Sequence, residues 1–295
     1  MNVLITGATG FIGKHLVNRL LTDQHNVFCT ILKEEENPFD QRVKMLYFWE
    51  EDSKGIIDFC KKNSIDGVIH LASVFLVAHK YDDVQHLIDS NVKFGTFLLE
   101  LAVQSKIKWF INTGTFWQNY QNADYSPVNL YAATKQAFES IAQYYIETNK
   151  IKFCTLRLSD TYGPNDTRPK IFNLWDKIAK SGETLDMSPG DQLIDISYID
   201  DIIDAFILLM VHISSYIDKS SKASVYAVKA KKKYTLKELA KIFEKVTNQK
   251  ININWGALPY RDREVMVPWT KGSVVPGWEP KFNMETGIKL IFGIQ

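Results

Sequence analysis

Through its first half the chain alternates apolar runs of strand length with stretches of helical period. Residues 3–5 read as a strand, 14–21 as a helix and 27–32 as a second strand. Residues 67–71 form a third strand, followed by a long helix near 84–104. Residues 109–112 form a fourth, followed by a helix near 127–148, and 153–158 form a fifth. These runs are continuous rather than alternating with period two, the mark of strands buried on both faces of a parallel sheet. Strand–helix alternation repeated this often imposes right-handed βαβ units and a doubly wound α/β fold of Rossmann type. The rhythm weakens after Tyr162. Residues 163–166 and 188–191 are turn-rich, and the tail from about 229 holds one short helix, 236–247, among Gly and Pro breaks. The pattern predicts a sheet domain over 1–162 and 195–228. A smaller C-terminal lobe, 163–194 and 229–295, then closes over the carboxyl edge of the sheet, where open α/β sheets bind their ligands.

Composition narrows the partners. The 295 residues are 45% hydrophobic and 23% charged, ordinary globular usage that excludes disorder. Lys and Arg number 35 against 34 Asp and Glu, a formal net charge of +1. That balance lacks the basic excess of a nucleic-acid binder. The densest basic run, Lys229–Lys233, reads as a solvated turn. Cys29, Cys60 and Cys154 are odd in number and widely spaced, without a Cys-x-x-Cys, so they argue against a disulfide scaffold and a metal site. They read as packed free thiols. The longest apolar run, 205–211, falls far short of the ~18 residues that span a bilayer. The strand beginning at Asn2 leaves no room for a signal peptide, so the expected location is cytoplasmic, without a membrane partner.

Thr6-Gly7-Ala8-Thr9-Gly10-Phe11-Ile12-Gly13 joins the first strand to the first helix. Gly7, Gly10 and Gly13 stand where a side chain would keep the backbone from a pyrophosphate, and a helix N-terminus offers free N–H groups and a positive dipole end. Glycines at this spacing, after a strand and opening a helix, predict a dinucleotide cofactor. NAD-selective chains place Asp or Glu at the end of the second strand, on the ribose 2′-hydroxyl. Here that end reads Cys29-Thr30-Ile31-Leu32-Lys33, with acids only at Glu34–Glu36. Lys33 is placed to meet a 2′-phosphate and Lys14 follows Gly13, so the expected cofactor is NADP(H) rather than NAD.

Tyr131 and Lys135 stand at i and i+4 near the start of a helix that Ser126 can cap and Pro127 can open. A tyrosine titrates near 10, too high for acid–base work at neutral pH. A nearby ammonium favours the phenolate and lowers that value, letting the pair exchange a proton with a substrate oxygen. The strand before this helix ends Ile111-Asn112-Thr113-Gly114-Thr115. Thr113 and Thr115 each offer a hydroxyl to the same oxygen, and one of the two is expected only to satisfy local backbone.

With these residues in place the chain resembles the extended short-chain dehydrogenase/reductase family, in its sugar-nucleotide epimerase/dehydratase/reductase branch, nearly end to end. Residues 6–13 match the family's glycine motif, and His70-Leu71-Ala72-Ser73 its motif beside the cofactor. Asn91-Val92 matches the Asn-Val that begins a later helix turn, and Tyr131 with Lys135 the catalytic pair. Leu156-Arg157-Leu158, Tyr162-Gly163-Pro164, Ile199-Asp200-Asp201 and Gly277-Trp278-Glu279-Pro280 match later landmarks. Within the branch the chain is similar to 4-keto reductases of CDP-linked 4-keto-3,6-dideoxyhexoses, on 13–16, 131–136 and 261–266. The resemblance implies cofactor contacts from Thr9, Phe11, Ile12, Leu71, Ala72, Ser73, Asn91 and Leu158, beside Tyr131 and Lys135. It implies substrate contacts from Thr115, Asp160 and Arg261, a nucleotide-diphosphate sugar as substrate, and a homodimer paired through the helices near 84–104 and 127–148.

Departures sharpen the expectation. Family dehydratases carry Thr-Asp-Glu where this chain has Thr113-Gly114-Thr115, so both elimination carboxylates are absent. An arginine usual before the late Asp is Ile194, which leaves Arg261, alone or with Arg263, to meet the diphosphate. Asp160 replaces a substrate-contacting Asn. The expected activity is NADPH-dependent reduction of a nucleotide-linked 4-keto-6-deoxy sugar, in deoxysugar biosynthesis for surface polysaccharide. The alternatives are a 4-epimerase holding NAD and a cofactor-sensing protein without catalysis.

Overall fold

The computed structural model describes residues 1–31, 38–47, 53–216 and 223–294. Lys33, the residue expected to meet a 2′-phosphate, and Leu32 lie outside them. Six strands build the first half: β1 (Asn2–Thr6), β2 (Asn26–Ile31), β3 (Val43–Tyr47), β4 (Gly67–His70), β5 (Trp109–Thr115) and β6 (Lys152–Leu158). Their helices are α1 (Phe11–Thr22), α2 (Ser53–Lys62), α3 (Asp83–Ile88), α4 (Phe94–Gln104) and α5 (Leu130–Glu147). There follow β7 (Asp160–Tyr162), α6 (Ile171–Ser181), β8 (Thr184–Met187), β9 (Leu193–Ile194), β10 (Ile196–Tyr198), α7 (Ile199–Tyr216) and β11 (Ser224–Ala227). The chain closes with β12 (Tyr234–Thr235), α8 (Leu236–Thr247), β13 (Asn252–Trp255), β14 (Ser273–Val274) and α9 (Met284–Phe292).

The central sheet runs β14-β11-β6-β5-β4-β1-β2-β3 and every pairing in it is parallel. The order reverses between β1 and β4, the switch point at which such sheets bind ligands. The doubly wound α/β expectation holds, and the continuous apolar runs have a direct cause. Val3 and Ile5 point into a core under α1 and α7, while Leu4 points into a second core under α4 and α5, and all three are fully buried. Both faces are dry, so period-two alternation has no place.

Several features depart from the sequence reading, among them α9 (Met284–Phe292), a second helix in the tail where the sequence gave one. β3 and α2 occupy a stretch that gave no signal, because an edge strand such as Val43–Tyr47 mixes lysine with its apolar residues and α2 buries only Ile56 and Cys60. The expected long helix near 84–104 is interrupted by a π-helical turn, Asp89–Lys93, which turns Asn91 inward to 1% exposure. Ser273–Val274, assigned by sequence to the smaller lobe, pairs with β11 at the edge of the central sheet.

Beyond β6 the small pairings β7–β10, β8–β13 and β9–β12 stand outside the central sheet. Phe172 and Trp175 of α6 pack with Phe243 of α8, with Phe172 and Phe243 stacked at 6.4 Å. The Lys229–Lys233 run is not simply solvated. Lys229 Nζ donates to the carbonyls of Thr270 and Gly272, and Lys233 Nζ lies 3.5 Å from the buried Asp195 carboxylate. Only Lys231 and Lys232 are exposed. The three cysteines are buried free thiols, and burial pushes Cys29 up to about 12 and Cys60 up to about 11. Among the described residues no cluster of metal-ligating side chains occurs, and no helix is long and apolar enough to cross a membrane.

Candidate active site

The glycine loop is built for close approach. Gly7 has φ +69°, and a Cβ on it would lie 2.6 Å from the backbone nitrogen of Ala72. A Cβ on Gly13 would lie 2.2 Å from the Gly7 carbonyl oxygen. Gly10 is the N-cap of α1 in extended conformation and supplies no side-chain cap, so the first N–H groups of the helix face outward with its positive end. The Thr6 hydroxyl accepts from the Ala72 N–H at 3.2 Å and bonds His70 Nδ1 at 2.7 Å, tying the ends of β1 and β4 together. Burial and the Lys135 charge hold His70 neutral. The loop and Leu71, Ala72 and Ser73 thus meet at the switch point, with Leu158 buried at the end of β6. This cradle fits a dinucleotide pyrophosphate.

Asn91 braces the cradle from behind. Its Oδ1 accepts from the Val74 N–H at 2.8 Å and the Ser73 hydroxyl at 3.2 Å, and its Nδ2 donates to the Val74 carbonyl and the Thr134 hydroxyl. All four bonds go to protein. Arg168, which the sequence did not single out, stacks 4.3 Å over the Phe11 ring of the loop.

Tyr131 and Lys135 share the first turns of α5. The cap of this helix is Asn129, whose Oδ1 accepts from the Ala132 N–H at 3.0 Å, and not Ser126; the Ser126 hydroxyl takes a bond from Arg263 instead. Lys135 is 2% exposed. Burial lowers its ammonium to about 8, with Glu139 pulling the other way. Burial pushes the Tyr131 phenol up to about 12, and a hydrogen bond with Ser73 draws it back. The lowering expected from the Lys135 ammonium is absent: the Lys135 charge does not figure among the causes that set the phenol, and burial disfavours the charged form of both groups. Phe75 meets the Tyr131 ring edge-on at 5.0 Å and Trp117 at 5.5 Å.

The two threonines separate. Thr115 caps the short 3-10 turn Phe116–Gln118, its hydroxyl accepting from the Trp117 N–H at 3.3 Å while Gln118 returns a bond to the Thr115 N–H. The Thr113 hydroxyl is buried and has no hydrogen-bond partner among the described residues. Between them, a Cβ on Gly114 would lie 2.8 Å from Arg157 Cγ, 2.8 Å from Thr155 Cγ2 and 2.9 Å from Gln118 Oε1. Arg157 there forms a buried ion pair with Glu139 at 2.7 Å and donates to Asn119 at 2.6 Å.

Asp160 and Arg261 line a cleft of about 560 Å³ together with Ile194, Arg263, Trp117 and His79. Thr113, Tyr131 and Lys135 are not in that lining; Tyr131 adjoins it through Phe75, which packs on Trp117 of the lining. Asp160 faces Lys170 at 3.2 Å, so its side chain is an ion-pair partner. Arg261 is gripped by Glu264 through two bonds of 3.0 and 2.9 Å and lies 5.8 Å over the Trp117 ring. Arg263, at φ +56°, sits 4.3 Å over Tyr120. Trp117, Phe75 and Glu264 escaped the sequence reading, since only the fold brings them beside Tyr131 and Arg261.

Residues 3–220 match the model of the NAD dependent epimerase/dehydratase family. The CDP-abequose synthase of Salmonella muenchen is 28% identical over 301 residues, covering 99% of this chain and 97% of its own. The UDP-glucose 4-epimerase of Lactobacillus helveticus is 25% identical, covering 95% and 92%. Among solved structures, a UDP-glucuronic acid 4-epimerase from Bacillus cereus, in complex with UDP-glucuronic acid and NAD, superposes with TM-score 0.83 at 21% identity over 100% of this chain and 98% of that one. The match extends across most of the chain and carries the glycine loop, Tyr131 and Lys135 with it: the protein belongs to the NAD dependent epimerase/dehydratase family.

Proposed function

We propose that the protein is an NADPH-dependent reductase of a nucleotide-linked 4-keto-6-deoxy sugar. The observation that carries this reading is the filled space at Gly114. The position at which family dehydratases place an elimination acid is occupied by Arg157, Thr155 and Gln118, while the proton-donating pair Tyr131 and Lys135 is intact. The relatives named CDP-abequose synthase, 26–28% identical over nearly the whole chain, support the same choice.

A nicotinamide dinucleotide on the glycine loop supplies the hydride. Tyr131 gives its phenolic proton to the oxygen of the keto carbon as that oxygen becomes a hydroxyl. The unpartnered Thr113 hydroxyl donates to the same oxygen, where negative charge develops, and so favours the transition state over the ground state. Lys135, placed one turn on, holds the cofactor ribose and compensates charge on the phenol. Arg261 takes the substrate diphosphate, with Glu264 as the anion it leaves. Phe97 and Tyr144, exposed on α4 and α5, support a homodimer paired through those helices. NADPH is favoured because no acid closes the second strand at Thr30-Ile31.

The test is NADPH oxidation with a panel of 4-keto-6-deoxy sugar nucleotides, repeated with NADH and with Lys33→Ala. Turnover with NADPH, weakened by Lys33→Ala more than turnover with NADH is, supports the reading. Tyr131→Phe should still bind NADPH but lose about 10²–10⁴-fold in kcat. Epimerisation at C4 without net NADPH consumption would replace the reductase with the 4-epimerase reading.

A further inference from the structure

The Phe75 ring is held on several sides and still faces solvent. It meets Tyr131 edge-on at 5.0 Å and Trp117 at 5.5 Å, and the Lys170 ammonium lies 5.4 Å from its centroid. The backbone around it is fixed as firmly. Asn91 accepts from the Val74 N–H at 2.8 Å and donates to the Val74 carbonyl at 2.9 Å, while Asn129 donates to the carbonyls of Leu76 and Val77 at 3.0 and 2.9 Å. Asn129 also caps α5, so the loop that carries Phe75 is tied to the helix end that carries Tyr131. Despite these ties Phe75 is 46% exposed and Val77 44% exposed. Val77 and Trp117 line the cleft, and Phe75 continues that apolar wall to the edge of the phenol. A ring fixed in place yet wet forgoes the gain of burial until an apolar group covers it. Set beside a few convergent polar groups, such a wall is what a small-molecule site presents.

We propose that Phe75, with Trp117 beside it, is the specificity-determining residue that receives the C6 methyl of the sugar. This deepens the reductase reading and rests on it. On that reading the oxygen at C4 meets Tyr131, and C6 follows C4 through C5. The methyl is then an apolar group close to the reacting carbon, and the phenyl is an apolar surface close to the phenol. A phenyl ring has no donor or acceptor for a hydroxyl, so a sugar that keeps its 6-hydroxyl would shed water there with nothing in exchange. The discrimination is bounded, since an apolar site separates partners that differ by one small group by about 10–200-fold. Against the same ring stands Lys170, paired with Asp160 at 3.2 Å. A sugar whose C6 met that pair would be favoured by its 6-hydroxyl, so the two arrangements give opposite preferences.

The test reads binding and so does not depend on turnover. CDP-glucose, UDP-glucose and their 6-deoxy counterparts are titrated against the NADP⁺-loaded protein by calorimetry. The wild type should bind a 6-deoxy form about ten- to a hundredfold tighter than its 6-hydroxy parent. Phe75→Ser should erase most of that difference by weakening the 6-deoxy form, with affinities for the free nucleoside diphosphate and for NADP⁺ unchanged. Phe75→Leu, which keeps an apolar side chain, should retain most of the preference. Equal binding of the two forms by the wild type, tighter binding of the 6-hydroxy form, binding of neither, or a Phe75→Ser that weakens both forms alike would overturn the proposal. A protein that shows the preference yet oxidises no NADPH with a 4-keto-6-deoxy sugar nucleotide would remove the reductase reading and leave the role of Phe75 standing.

Discussion

The Arg157 guanidinium meets the Glu139 carboxylate at 2.7 Å with both side chains under 10% exposed, and the arginine stem of that pair fills the volume a side chain at position 114 would need. Gln118 extends the network, donating to Glu139 and Gln136 and accepting from the Thr115 N–H. A buried pair of this kind shapes the site from beneath: with Gln118 and Asn119 it holds the turn that carries Trp117, and it crowds any side chain placed at position 114.

Gly114→Asp is therefore expected to destabilise the protein without conferring dehydratase activity. Overpacking a filled site costs about 1–3 kcal/mol, and the new charge would compete with Glu139 for Arg157. Thermal unfolding with a parallel dehydratase assay checks this. An unshifted Tm would show that the space is open.

Thr113→Ala and Thr115→Ala should fail differently. Thr113 holds an unpartnered buried hydroxyl, so its loss should lower kcat by ten- to a hundredfold with little change in Tm. Thr115 caps a turn, a role worth about 0.5–2 kcal/mol, so its loss should lower Tm with a smaller effect on kcat. The kcat and Tm pairs of the two variants distinguish the roles, and equal profiles would contradict the division.

The positions of these residues show what sequence could and could not disclose. The parallel sheet, the glycine loop and the Tyr131–Lys135 face were legible because each is written in local spacing. Which of Thr113 and Thr115 is free was not, since the answer depends on Gln118 folding back three residues later. The Arg157–Glu139 pair joins β6 to α5, and the Arg261–Glu264 grip gains its meaning only when the loop lies against Trp117. The break in the 84–104 helix left no Pro or paired small residues to announce it.

Lys135→Met should stabilise the protein while abolishing turnover. Burial lowers the Lys135 ammonium to about 8 from an unfolded value of 10.5, so between those values the unfolded chain binds more protons and stability rises with pH. The penalty is present in full below pH 8 and fades as pH rises towards 10.5. The gain in Tm from Lys135→Met should thus be larger at pH 7 than at pH 10. A destabilised variant at pH 7 would mean that the lysine contributes more in contacts than its burial costs.

Arg261→Ala should raise KM for the sugar nucleotide and leave NADPH affinity alone. Ile194 provides no second cation at the usual place, so compensation is poor, and a charge-assisted pair is worth about 1.5–3 kcal/mol, or roughly ten- to a hundredfold in KM. Glu264→Gln leaves Arg261 in place without its competing anion and should move KM the other way. An unchanged KM in Arg261→Ala would place the diphosphate elsewhere.

The most direct measurement of the central claim follows the hydride. With NADPH carrying deuterium at the transferred position and a 4-keto-6-deoxy sugar nucleotide as substrate, the product is analysed by mass and NMR. The account requires one NADPH oxidised per product and deuterium at C4 of the sugar. Formation of a 4-keto sugar from the parent hexose, or of a C4 epimer without deuterium and without net NADPH oxidation, would contradict it.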